Sequence, residues 1–181
     1  MKLPVRLIAF GLVAALLLPV LAFRDVNAQQ ALTEEQLQRI SANCQAAKTT
    51  LNQLHASDAL LRVNRGQIYE SMSAKLMDNF NNRLTSNSLD AKGLVAVTTS
   101  YKNALATFRL DYQAYERQLA AAIKVDCDKE PAQFHAAVED AREKRSKVHT
   151  DVVRLHQYID DYRTTVNDFY LNFQRVAGDN S

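Results

Sequence analysis

Two cysteines and four histidines are the side chains of this 181-residue chain whose types could do redox or metal chemistry. Cys44 and Cys127 stand about 83 residues apart. A bond between them closes a long loop and stabilises by about 4–5 kcal/mol in the chain-entropy model. The alternative is two unpaired thiols, with Cys44 a small core residue. His149 and His156 fall on one side of one helical stretch, with Asp160 a turn beyond. That spacing is too wide for both imidazoles to grip one ion, His55 and His135 stand alone, and neither HExxH nor facing ExxH pairs occur. No metal and no cofactor is expected. GxSxG and glycine-rich phosphate loops are also missing, and a smooth helical rod offers no cleft for paired acid–base work. The chain reads as non-enzymatic, with no small-molecule substrate.

Other polar residues are suited to docking rather than reaction. Arg62, Asn64, Arg65 and Gln67 lie in the run Arg62-Val63-Asn64-Arg65-Gly66-Gln67, which puts two cations and a glycine into a helical pattern. It reads as a docking segment or a bend. Arg145 sits in an otherwise apolar stripe, where it needs either a carboxylate or a route for its head group to water. Folding two helices back about the 124–130 connection sets Arg145 opposite Asp111, so a polar pair with Asp111 or Glu116 is expected.

The elements that must position these residues follow from periodicity. Phe134, Val138, Ala141, Arg145, Val148, Val152, Leu155, Ile159, Tyr162, Val166, Phe169, Phe173 and Val176 alternate in steps of four and three, and all but Arg145 are apolar. Such a seam needs a partner helix to leave water. Pro131 opens this helix and Gly178 closes it. A second ladder runs Leu94, Val97, Tyr101, Leu105, Phe108, Tyr112, Tyr115, Leu119 and Ile123, after turn chemistry at 85–88 and a cap at Ser88 or Asp90. The first ladder starts with a capping box at Thr33 and Gln36 and runs Leu37, Ile40, Cys44, Ala47, Leu51, Leu54, Asp58, Leu61, Arg65, Ile68 and Met72, then Leu76, Phe80 and Leu84. Asp58 and Arg65 interrupt it. The pattern predicts either one long helix with a soft middle or two helices meeting near 56–58. Most tyrosines sit on or beside these ladders and read as core.

Short connections make consecutive helices antiparallel neighbours, so the expected fold is all-α: an elongated antiparallel three-helix bundle of coiled-coil character over 33–177. Before it, residues 1–28 read as a signal peptide: Lys2 and Arg6, an apolar run from Leu7 to Phe23, and small residues at Val26 and Ala28. The alternative is a retained membrane anchor at residues 7–23, at the short edge of what spans a bilayer. Residues 29–32 are a short linker and 178–181 a polar tail. The targeting segment carries the whole formal charge of +2, leaving the exported part neutral, so nucleic-acid binding is not expected.

The runs Arg62-Val63-Asn64-Arg65-Gly66-Gln67-Ile68-Tyr69-Glu70 and Val152-Val153-Arg154-Leu155-His156-Gln157 resemble those of a group of small exported helical proteins from ultrasmall, host-dependent bacteria. The resemblance covers most of the exported region. It implies a role at the cell surface and brings no activity and no site residues. Together these readings point to an extracytoplasmic, non-enzymatic scaffold or protein-binding module that binds a protein partner or itself, the latter through Leu37–Ala47. Alternatives are a membrane-tethered sensor or assembly subunit, and a holdase chaperone with a concave apolar surface between splayed helices.

Overall fold

The computed structural model describes residues 32–178, and among these every regular element is helical. Residues 1–28, expected to be a signal peptide or a membrane anchor, residues 29–31 of the expected linker and residues 179–181 of the expected tail lie outside the described residues.

Helix α1 (Glu34–Ala42) begins with the expected capping box: Gln36 N–H donates to Thr33 Oγ1 at 3.3 Å and Thr33 N–H to Gln36 Oε1 at 2.8 Å. Asn43 interrupts it with φ −105° and ψ 10°, and its side-chain amide donates back to the Arg39 carbonyl. Helix α2 (Cys44–Ser71) then runs unbroken through 56–66, so there is no junction at 56–58 and no break at Gly66. A Cβ at Gly66 would meet nothing within 4 Å, so this glycine costs helix propensity but does not redirect the chain.

The irregularity lies instead at Met72–Met77, where the backbone widens into a π-helical turn before α3 (Asp78–Ser86). Its consequence is a change of phase. Steps of four predicted Leu76 inside; Leu76 is 52% exposed and Met77 is fully buried. A π turn carries an extra residue, which rotates the following side chains back. Tyr69, Ser73, Met77, Asn81 and Leu84 thereby stay on one buried face.

Helix α3 ends in a left-handed Ser88 (φ 57°), with Ser88 N–H on the Thr85 carbonyl and Leu89 N–H on the Leu84 carbonyl. Leu89 packs on the cluster that contains Leu84, which completes a Schellman stop. Ser88 therefore serves the stop, and Asp90 takes the capping bond, to the Lys92 amide at 3.0 Å. Helix α4 (Lys92–Lys124) and helix α5 (Pro131–Gly178) share the most extensive interface. Gly93 faces Thr165 and the Gln118 side chain reaches the Ala137 carbonyl, so the start of α4 meets the later part of α5.

Three apolar clusters line these contacts. One holds Cys44, Cys127 and Phe134, with Ile40 and Ala47 packed on it. The surface expected to self-associate through Leu37–Ala47 is thus largely used within the chain. The second holds Tyr112, Tyr115, Leu119 and Ala141, and the third extends from Tyr69 and Met77 to Leu155 and Tyr162. The α5 ladder is buried or half-buried from Phe134 to Phe169 except at Arg145, and then emerges: Phe173 is 49% exposed.

Candidate functional site

Cys44 and Cys127 stand at disulfide distance, with Cα atoms 5.5 Å apart. Such a pair is compatible with an oxidising, extracytoplasmic location. It fastens the start of α2 to the α4–α5 connection, helped by the Ser41 hydroxyl, which donates to the Cys127 carbonyl at 3.3 Å. Further on, α2 is held again where the Tyr101 hydroxyl donates to the Tyr69 carbonyl at 2.9 Å and Tyr69 packs edge-on against Phe108.

After Asp58, and before the second anchorage, α2 stands off from its neighbours. Leu61 and Ile68, expected on the seam, are 46% and 59% exposed. The cause is electrostatic: Arg62 and Arg65 cannot be buried without losing hydration, so this stretch of α2 keeps them at the edge of water. What remains is a trough of about 460 Å³ between α2, α4 and α5. Its apolar side comes from Leu61, Phe108, Tyr112, Val148 and Val152, and its rim carries Arg62, Arg65, Arg142, Arg145 and His149. The Arg62 guanidinium lies over the Tyr112 ring, 5.3 Å from its centroid. A smaller hollow of about 240 Å³ adjoins it, sharing Arg62, Phe108 and Tyr112 and reaching Gly66 and Gln67. Asn64 lines neither hollow. Of the expected docking segment, Arg62 and Arg65 thus border the trough, and Arg62 and Gln67 border the smaller hollow on the other side of the Arg62–Tyr112 contact.

At the edge of the trough Asp58 accepts from the Tyr115 hydroxyl at 2.8 Å and from Arg145 Nε at 3.1 Å. Burial, then the bond to Asp58, raises the Tyr115 phenol above its ordinary value. Arg145 therefore has a carboxylate, but it is Asp58 of α2 and not Asp111. Asp111, one turn before Tyr115 and so within about 40° of it around α4, still faces α5, but Asp58 of α2 occupies the place beside Arg145. Asp111 instead meets Asp151, which is 4% exposed. Burial raises the Asp151 carboxyl above its ordinary value, and the hydrogen bond and charge of Asp111 raise it further. Asp151 Oδ2 has no hydrogen-bond partner among the described residues, and Arg154 Nη1, 3.8 Å from Oδ1, opposes the rise only in part. Sequence held a signal for the Asp58–Arg145 pair: each is a charged interruption of its own apolar ladder, and two such interruptions can satisfy one another.

The opposite end has a dry polar network with no such signal. Asn81 donates to Thr98 Oγ1 and accepts from the Tyr162 hydroxyl, both at 2.8 Å. The Thr98 hydroxyl in turn donates to the Leu94 carbonyl at 2.8 Å. Burial, then the charge of Asp78, pushes the Tyr162 phenol up to about 12. Beside this network an apolar hollow of about 360 Å³ opens between the π turn and α5, lined by Leu76, Phe80, Ile159 and Val166 among others. It continues through an edge-on contact of Phe80 with Phe169 and a stacked contact of Phe169 with Phe173.

The histidines do different things. His156 shares a hydrogen bond with the Tyr69 hydroxyl at 3.2 Å, and His149 borders the trough. Among the described residues no group of three or more His, Cys, Asp or Glu side chains is placed to hold a metal ion. No described helix is long and apolar enough to cross a membrane. No protein-family model, no curated protein and no solved structure matches this chain.

Proposed function

We propose that the protein is a non-enzymatic extracytoplasmic scaffold, exported by residues 1–28, that binds a helix of another protein. In this reading α1–α3, α4 and α5 make an elongated antiparallel three-helix bundle of coiled-coil character. One observation carries the reading. The apolar hollow at Leu76 and Phe80 runs on through ring contacts into Phe169 and Phe173, and Phe173 is half exposed. An apolar face of this kind, at helical spacing, is what an amphipathic partner helix covers. The disulfide-distance pair at the far end supports an oxidising location for the module.

Photo-crosslinking in the producing cells tests this, with p-benzoylphenylalanine placed in turn at positions 76, 173 and 103. Positions 76 and 173 should yield a discrete protein adduct, while exposed Asn103 on α4 should not. An adduct with a second copy of the chain identifies the partner as itself. Absence of adducts at both apolar positions removes the proposal.

A further inference from the structure

From the trough between α2, α4 and α5 we infer that the protein binds a small amphipathic anion, one negatively charged head on an apolar body. This site is separate from the Leu76–Phe173 face. The first argument is charge. Four guanidiniums line the trough against one carboxylate, Asp58. Asp58 is engaged by Arg145 and Tyr115, and Arg142 is paired with Glu139 at 2.6 Å. Arg62 and Arg65 have no ion-pair partner among the described residues; Arg62 lies against the Tyr112 ring and bonds its phenol, which still leaves several of its five N–H donors for a ligand. Two unneutralised guanidiniums on one rim make a forked donor set suited to a carboxylate, sulfonate or phosphate head.

The second argument is shape and surface. A recess of about 460 Å³ falls within the range that holds a small organic ligand, about 300–1,000 Å³. Its inner side is built from Phe108, Tyr112, Val148 and Val152, which reward an apolar body and offer nothing to a free inorganic anion. Neither property alone identifies the ligand. Cations at the rim with aromatic and aliphatic walls beneath them select a molecule that is anionic at one end and greasy at the other.

The test compares two probes that differ by one charged group: 8-anilinonaphthalene-1-sulfonate and its uncharged parent, N-phenyl-1-naphthylamine. Each is titrated into the purified, oxidised protein with fluorescence as readout. The sulfonate should bind at least tenfold more tightly than the parent, and Arg62→Gln/Arg65→Gln should abolish that advantage while leaving the parent's affinity and the helical circular dichroism unchanged. Binding of the parent at the Leu76–Phe173 face does not disturb the comparison, because only the charge-dependent increment is read. Equal affinities, or an increment that survives the double substitution, overturn the inference. Should the double variant lose helix, the wild type is titrated at about 0.05 and 0.5 M NaCl. The sulfonate must then weaken with salt and the parent must not, because exposed guanidiniums are screened at the higher strength. A salt-independent increment also overturns it.

Discussion

The arm made by α2, the π turn and α3 meets α4 and α5 in two opposite ways. From Tyr69 to Leu84 the contact is dry: Met77, Tyr101, Leu155 and Tyr162 are buried together, and the polar groups among them, Asn81 and Thr98, bond inside the core. From Asp58 to Arg65 the contact is wet: one charged triad holds the helix at the edge of a trough, and Leu61 and Val63 face water. The two stretches belong to one helical path, so backbone type does not separate them. Side-chain desolvation does. A methionine or tyrosine gains by leaving water, whereas a guanidinium loses hydration that no carboxylate at Arg62 or Arg65 replaces. The lesson is that two arginines can convert part of a helix interface into a binding recess without breaking the helix.

That contrast can be broken or sharpened by substitution. Removing the covalent clamp, as Cys44→Ser/Cys127→Ser, should have the largest effect, a loss of about 4–5 kcal/mol of unfolding free energy measured in urea, because the bond closes a loop of 83 residues. A loss under about 1 kcal/mol would mean that the dry contact alone holds the arm. Next, Met77→Ala at the dry contact should cost about 3 kcal/mol, since a fully buried side chain leaves a cavity. Leu61→Ala at the trough should cost under about 1 kcal/mol, because little of its surface is removed from water. Equal losses at the two positions would erase the distinction.

Within the wet contact, Asp58→Ala should cost about 2 kcal/mol by leaving the buried Tyr115 hydroxyl and Arg145 without their acceptor. Arg145→Ala should cost less, because Arg145 is 54% exposed on its side chain while Asp58 is 12% exposed. The reverse ranking would show that Arg145 acts through packing. The smallest change is expected at Asp151→Asn, a gain on the order of 1 kcal/mol near neutral pH, because an amide can donate to Asp111 where an ionised carboxylate cannot. Its sign in pH is defined. The Asp151 carboxyl is raised in the folded chain, so the wild type is most favoured below the ordinary carboxylate value and loses stability as pH rises through the raised one. Thermal unfolding should therefore show the variant's advantage at neutral pH and its disappearance in acid; an advantage that persists in acid assigns the gain to packing.

Much of this architecture was legible before any coordinates. The steps of three and four along Phe134–Phe169 and Leu94–Ile123 dictate which faces are hidden, the Thr33–Gln36 box and Pro131 dictate where helices start, and two cysteines in a chain that reads as exported invite pairing, because each of these signals acts over a few residues or has a single solution. Tertiary structure alone decided the rest. It shifted burial from Leu76 to Met77 through a π turn that no local preference announces, and it gave Arg145 to Asp58 of α2 while Asp111 met Asp151. It also left a recess beside Arg62 and Arg65. Such outcomes depend on how three helices divide a limited supply of buried surface and charge partners, a competition among distant residues that periodicity along one strand of sequence does not record.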